Sequence, residues 1–357
     1  MSSAQRKEGL FIMELPDKIL DDTQLENVLT VPSPALTELM SRLPGDIMIL
    51  GGSGKMGVSM ALLAVNAARA ADVNKKIYVA ARFSDSAVRE RLDCGGVETI
   101  ACDFLDSSAV ARLPQVPNVI FMAGRKFGTE GCEELTWAVN ILAPAIIAEH
   151  FRNSRIVAFS TGCVYPLVEA TSGGCTEETA PEPIGEYSQS CLGRERILQY
   201  EARRNGTPML LFRLNYAIDL RYGVLHDIAM PIWRGDKVNN AVSHFNAIWQ
   251  GNANEAALRA LELAANPPAL LNVTGPEMVS TMEVAEEFGR LFGKKVEYLH
   301  PVPGKLCYLN NASKMHALFG LPTVSMEQMI RWQAEWIANG GASLNKPTHF
   351  EVNNGRF

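Results

Sequence analysis

The sequence predicts an α/β fold, a doubly wound parallel sheet with a small C-terminal lobe, and three observations predict it. From Asp46 onward short apolar runs alternate with amphipathic stretches, the pattern of βαβ units. The first run, Ile47–Leu50, leads directly into glycines spaced three apart, Gly51, Gly54 and Gly57, and then into a helical period. Five more strand-like runs follow, at Ile77–Ala81, Val97–Ala101, Val119–Met122, Arg155–Ser160 and Met209–Leu214.

Residues 1–44 hold acids, prolines and one short helical spacing (Ala35, Leu36, Leu39, Met40, Leu43), and read as an arm packed on the main domain. Residues 45–220 form that domain. Within it Met60, Leu63, Ala64 and Ala67 follow the 3.6 period of a helix from Met56 to Ala71. Residues 221–340 are looser and read mainly as a lobe over the sheet, with a returning strand near 270–275. There Ser280-x-x-Glu283 and Ser325-x-x-Gln328 read as capping boxes, the first helix ending at Gly293. Met329, Ile330, Trp336 and Ile337 give the second helix a core-facing stripe. Residues 341–357 are a tail.

Composition narrows the function. The 357 residues are 47% hydrophobic and 20% charged, an ordinary globular balance. A net charge of −6 gives no support to a nucleic-acid partner. Seven cysteines without a C-x-x-C pair fit reduced thiols and a cytoplasmic setting. The N-terminus lacks a signal-like apolar stretch. The longest apolar run, Ala138 to Ala148, is broken by Asn140 and Pro144 and falls short of the ~20 residues a membrane span requires. Six scattered histidines make no H-x-x-x-H spacing, so no metal site is expected.

The chemistry begins at the glycine loop. Its glycines permit a tight turn, let backbone N–H groups approach a pyrophosphate, and let the helix pack close to the strand. Gly51, Ser53, Gly54, Lys55, Met56 and Gly57 are therefore expected around a dinucleotide. A P-loop reading of Gly54-Lys55 fails, because Met56 takes the magnesium-binding Ser/Thr place and Ile49 the first glycine place. At the tip of the second strand an acid would take the ribose 2′-OH, whereas an arginine accommodates a 2′-phosphate. Arg82 stands there, which favours NADP over NAD.

With further motifs, the sequence from about 46 to 340 resembles the extended short-chain dehydrogenase/reductase family, the NAD(P)-dependent epimerases and dehydratases of sugars. The motifs are the loop, Cys102-Asp103-Phe104-Leu105-Asp106, Phe121-Met122-Ala123-Gly124, Phe159 to Pro166, and Tyr187 to Glu195. The resemblance implies a Rossmann-like sheet and places Asp103 and Phe104 by the adenine. It also puts Ala123 and Gly124 along the cofactor, Asn140 on the helix after the fourth strand, and Leu214 and Asn215 by the carboxamide. It makes Thr161 and Tyr187 the acid/base pair, the substrate a sugar or nucleotide sugar, and the chain a homodimer through the Tyr187 helix. Dehydratases carry two acids after the Ser/Thr; Gly162 and Cys163 stand there, so oxidation, reduction or epimerisation is favoured.

One departure bears on catalysis. The family keeps a lysine four residues after the tyrosine, where its charge favours the phenolate; this sequence has Cys191. Three readings stay open. Another cation substitutes, Lys126 past the fourth strand or Arg194 two turns after Tyr187. The oxidised nicotinamide partly serves. Or the chain is a dinucleotide sensor without turnover. Tyr222, His226, Trp233 and Trp249 follow the sixth strand, where sugar stacking competes with core packing.

Overall fold

Seven parallel strands form the central sheet of the computed structural model, which describes residues 15–128, 131–352 and 354–355. They are β1 (Ile47–Leu50), β2 (Ile77–Ala81), β3 (Glu98–Ala101), β4 (Asn118–Phe121), β5 (Arg155–Thr161), β6 (Met209–Leu214) and β7 (Ala269–Val273). Their order is β7-β6-β5-β4-β1-β2-β3. The winding reverses between β1 and β4, which opens a crevice at their C-terminal ends. The six expected strands are present with ends moved by about a residue, and β5 continues to Thr161 because Thr161 pairs with Leu214. The returning strand is β7, parallel to β6.

Alternation along β1 feeds two cores. Ile47 and Ile49 pack with Leu39, Leu63 and Ala64, while Met48 and Leu50 face Ile147 and Leu198. Both sheet faces are therefore covered, as a parallel sheet requires. Helices α2 (Pro34–Arg42) and α3 (Lys55–Ala70) lie toward the first face, and α1 (Asp22–Thr30) packs on α3. Ser33 caps α2 by accepting from Leu36 N at 3.1 Å, and Pro34 presets its first turn. α4 (Ser86–Gly95) precedes β3. α5 is composite, Glu133–Trp137 and Ala143–His150 joined by a π turn at Ala138–Leu142. It packs on α6 (Gly185–Asn205) over the second face.

The lobe is built from α7 (Val224–Arg234), α9 (Thr281–Phe292) and α10 (Met326–Ala338), while α8 (Gln250–Arg259) packs on α3 over the first face of the sheet. Ser280 and Ser325 cap α9 and α10, and Gly293 ends α9 in the left-handed region. Ile228, Phe288, Trp332 and Trp336 form a third core, which also takes Ile19, Leu25 and Leu29 from before and within α1 and Phe350 from the tail. Segments at both ends of the chain are thus sewn into the lobe. Trp249 lies edge-on to Trp332 at 5.4 Å, and Trp233 to Phe292 at 5.1 Å. His226 meets Gln333 and Ser343. Of the four residues weighed for sugar stacking, Tyr222 alone lines the crevice described below. No helix among the described residues is long and apolar enough to cross a membrane.

Candidate active site

The glycine loop closes the bottom of the crevice. Gly51 has φ 89°, and a Cβ there would stand 2.7 Å from the backbone N of Ala123. Gly57 rests on the backbone of Gly52, with no room for a side chain. These contacts hold the loop against the end of β4 and α3 against the loop. Gly54 caps α3 without a side-chain bond, and while Gly57 N–H turns back to Gly54 O, the N–H groups of Lys55 and Met56 are offered to the crevice. That arrangement fits a dinucleotide pyrophosphate. Gly51, Gly54, Lys55 and Met56 line a cavity of about 300 Å³ that also reaches Gly124 and Tyr187.

Several expected cofactor residues lie elsewhere. Ser53 and Gly57 are in the loop but off the cavity wall, and Ala123 backs the loop from behind. Arg82 and Asp103 are exposed just past β2 and β3, where Asp103 accepts from Leu105 N at 3.0 Å. Phe104 sits edge-on to Phe121 at 6.4 Å. Leu214 and Asn215 do line the cavity, and Asn215 donates to Asn246 Oδ1 at 2.7 Å.

Tyr187 enters from the first turn of α6 and Thr161 from the end of β5. Both line the cavity, where Thr161 acts on the Tyr187 phenol, and Thr161 Oγ1 accepts from Cys163 N at 3.2 Å. Burial holds the Tyr187 phenol well above its ordinary pKa, and Cys191 and Cys163 add to that; Arg194 and Thr161 pull it down. Cys191 lies one turn along α6, buried, its thiol pushed up to about 11 by burial. It is a neutral neighbour at physiological pH and supplies no positive charge.

Arg194 supplies one. Its guanidinium is buried against Gly124 and donates to Phe159 O at 2.9 Å, Asn140 O at 3.2 Å and Asn140 Oδ1 at 2.6 Å. Asn140, expected among the cofactor contacts, is instead fully buried, and its amide is consumed by protein. Nδ2 donates to Arg125 O at 3.0 Å and Ser190 Oγ at 2.9 Å, and Oδ1 also accepts from Arg125 N at 2.9 Å. It clamps the β4–α5 loop to α6. Lys126 lies on the opposite side, its Nζ donating to Thr348 O at 2.9 Å and standing 6.0 Å from the centre of the Tyr187 ring. Desolvation lowers its pKa.

Sequence reasoning missed other parts of this site. Thr348 returns from the tail and Gln250 from the start of α8 to line the cavity. Tyr216 lines it with φ 32°, an uncommon backbone for a residue with a Cβ. Behind β5, Glu195 accepts from Arg213 at 2.6 and 2.8 Å and from Ser160 Oγ at 2.5 Å, and Arg213 donates to the Tyr165 hydroxyl at 2.7 Å. The four come from three elements and the turn after β5, so no local spacing announces them.

A switch-point crevice lined by a glycine loop and by a tyrosine and a threonine defines a dinucleotide-linked enzyme of the Rossmann class. Residues 47–217 match the NAD dependent epimerase/dehydratase family model, and over that stretch the chain is NAD(P)-dependent epimerase/dehydrogenase-like. No curated protein sequence matches the chain significantly. Among solved structures, UDP-glucose 4-epimerase of Thermotoga maritima, determined with UDP-glucose, superposes with a TM-score of 0.67 at 17% identity, covering 83% of this chain and 99% of that one. The dTDP-glucose 4,6-dehydratase of Bacillus anthracis, in complex with NAD, gives 0.68 at 18% identity, covering 83% and 97%. The Thermus thermophilus UDP-glucose 4-epimerase complex with NAD gives 0.65 at 21% identity, covering 81% and 98%.

Proposed function

We propose that the protein is an NAD(P)-linked oxidoreductase or epimerase that acts on a hydroxyl or ketone carbon of a sugar or nucleotide sugar. The observation that carries this is that Tyr187 and Thr161 line one cavity with the N-terminal turn of α3, with the Arg194 charge acting on the phenol. When bound, the dinucleotide supplies the hydride acceptor. Thr161 holds the substrate oxygen, and Tyr187 takes its proton in oxidation and returns it in reduction. Arg194 favours the phenolate in place of the family lysine, and Cys191 fills the lysine position as a neutral spacer. Gly162 and Cys163 offer no acid pair, which supports chemistry at a carbinol over dehydration.

Arg82, exposed at the end of β2, supports NADP over NAD. Seven free thiols support a reducing, cytoplasmic setting. Leu135, Trp137 and Leu142 on α5 and Tyr200 on α6 are exposed, and that apolar face supports a homodimer. The test titrates NAD and NADP by cofactor fluorescence, then follows hydride transfer with a panel of sugars and nucleotide sugars. Tyr187→Phe should cut the transfer rate by on the order of 10²- to 10⁴-fold. Cofactor binding with no transfer from any sugar would reject the catalytic reading in favour of a dinucleotide sensor.

A further inference from the structure

Lys55 is the first residue of α3, and its backbone belongs to the glycine loop. Its side chain leaves the loop and crosses to the lobe, where Nζ stands 2.8 Å from the centre of the Tyr222 ring. The charged groups around it are Lys126 from the β4–α5 loop, Lys346 from the tail, Asp219 after β6 and Asp227 on α7. Lys126 lines the same cavity, and Lys346 and Asp227 line the neighbouring pocket of the lobe. Both acids are already engaged. Asp219 is held by Arg221 through bonds of 3.0 and 2.6 Å. Asp227 Oδ2 accepts from the Thr348 amide at 2.7 Å and hydroxyl at 2.6 Å.

A buried ammonium beside two further lysines is costly. The ring of Tyr222 offsets part of that; a bound anion would offset more. We propose that the cavity recognises an anionic group on its sugar, a carboxylate or phosphate, through the Lys55 ammonium seated on Tyr222, with Lys126 as the second cation. The inference rests on the sugar reading above and narrows it to acidic or phosphorylated sugars. The cofactor pyrophosphate has its own donors in the backbone N–H groups of the loop, whereas the Lys55 ammonium lies over lobe residues.

Burial, with Lys126 and Lys346, lowers the Lys55 pKa to about 7. The ammonium form binds the anion, so affinity should be flat below about pH 7 and fall as pH rises through it.

The experiment titrates protein loaded with reduced cofactor against D-gluconate, D-glucuronate, glucose 6-phosphate, UDP-glucose and uncharged glucose, and follows hydride transfer in parallel samples. At least one anion should bind about 10- to 100-fold tighter than glucose, the size of a charge-assisted hydrogen bond. Lys55→Met should erase that difference and Lys55→Arg keep most of it. Which anion responds separates carboxylate from phosphate and from nucleotide diphosphate. Equal binding of glucose and every anion overturns the proposal. So does a Lys55→Met variant that loses reduced cofactor by the same factor, because Lys55 would then be a pyrophosphate ligand. Lys55-dependent anion binding without hydride transfer supports this site while rejecting the catalytic reading; turnover of neutral sugars that ignores Lys55→Met does the reverse.

Discussion

Replacing Arg194 by methionine tests where the missing lysine charge went. The guanidinium is 5% exposed and satisfies three acceptors, Phe159 O, Asn140 O and Asn140 Oδ1. It also opposes the burial that raises the Tyr187 phenol. An opposite charge in such a site moves a pKa by ~1–3 units. Without it the phenol rises further, and at a fixed pH below that pKa the ionised fraction falls about tenfold per unit. Arg194→Met should therefore slow proton removal by about 10- to 1000-fold near neutral pH. Because the folded pKa is displaced upward, the ascending limb of the pH–rate profile should move to higher pH by the same number of units. The variant should recover toward the parent rate when assayed more alkaline. Arg194→Lys, which keeps the charge and loses the fork, should recover part of the shift. The assay is single-turnover hydride transfer with the best sugar from the panel, measured across pH. A loss equal at every pH, with the limb unmoved, refutes the electrostatic role and leaves Arg194 a structural clamp.

Two other outcomes follow from the packing. Glu195 is fully buried against Arg213, so Glu195→Gln leaves a buried guanidinium undercompensated, a loss of ~3–5 kcal/mol. At ~2.1 cal/mol/K per residue the melting temperature should fall by roughly 4–7 °C; calorimetry that finds no drop would show the network to be slack. Leu142 is 52% exposed on the apolar face of α5. Leu142→Asp should convert a dimer to a monomer in sedimentation, and a parent chain that already sediments as a monomer would remove the dimer proposal.

Legibility in the sequence followed the range of the forces involved. The loop, the strands and the caps at Ser33, Ser280 and Ser325 are local: each depends on residues within a turn or two, and periodicity reports them. The expected role of Asn140 failed because a family position was carried over without its neighbours, Arg125, Ser190 and Arg194, which consume its amide. The direction of Lys55 was unreadable for a related reason. A residue in a glycine loop announces its backbone, whereas its side chain is placed by Tyr222, 167 positions away in the chain. The tail carried no pattern at all, and only its docking on Asp227 and Lys126 brings Thr348 to the cavity.

The position of Arg194 follows from two residues that interrupt the apolar run in α5. In a regular helix Asn140 O would accept from the N–H of residue 144, but Pro144 has none. The chain answers with a π turn, in which Ala143 N reaches back to Ala138 O. Arg194 Nε donates to the Asn140 carbonyl in that turn. Residues four and seven positions after Tyr187 share its face of α6, and long side chains on a helix point toward the N-terminus. A lysine one turn from the tyrosine and an arginine two turns away can therefore deliver charge to the same region, the arginine by reaching back along the helix. Its fork needs fixed acceptors to stay there, and Pro144 helps provide one. The cysteine at 191 is then permitted because the charge is anchored from the neighbouring helix.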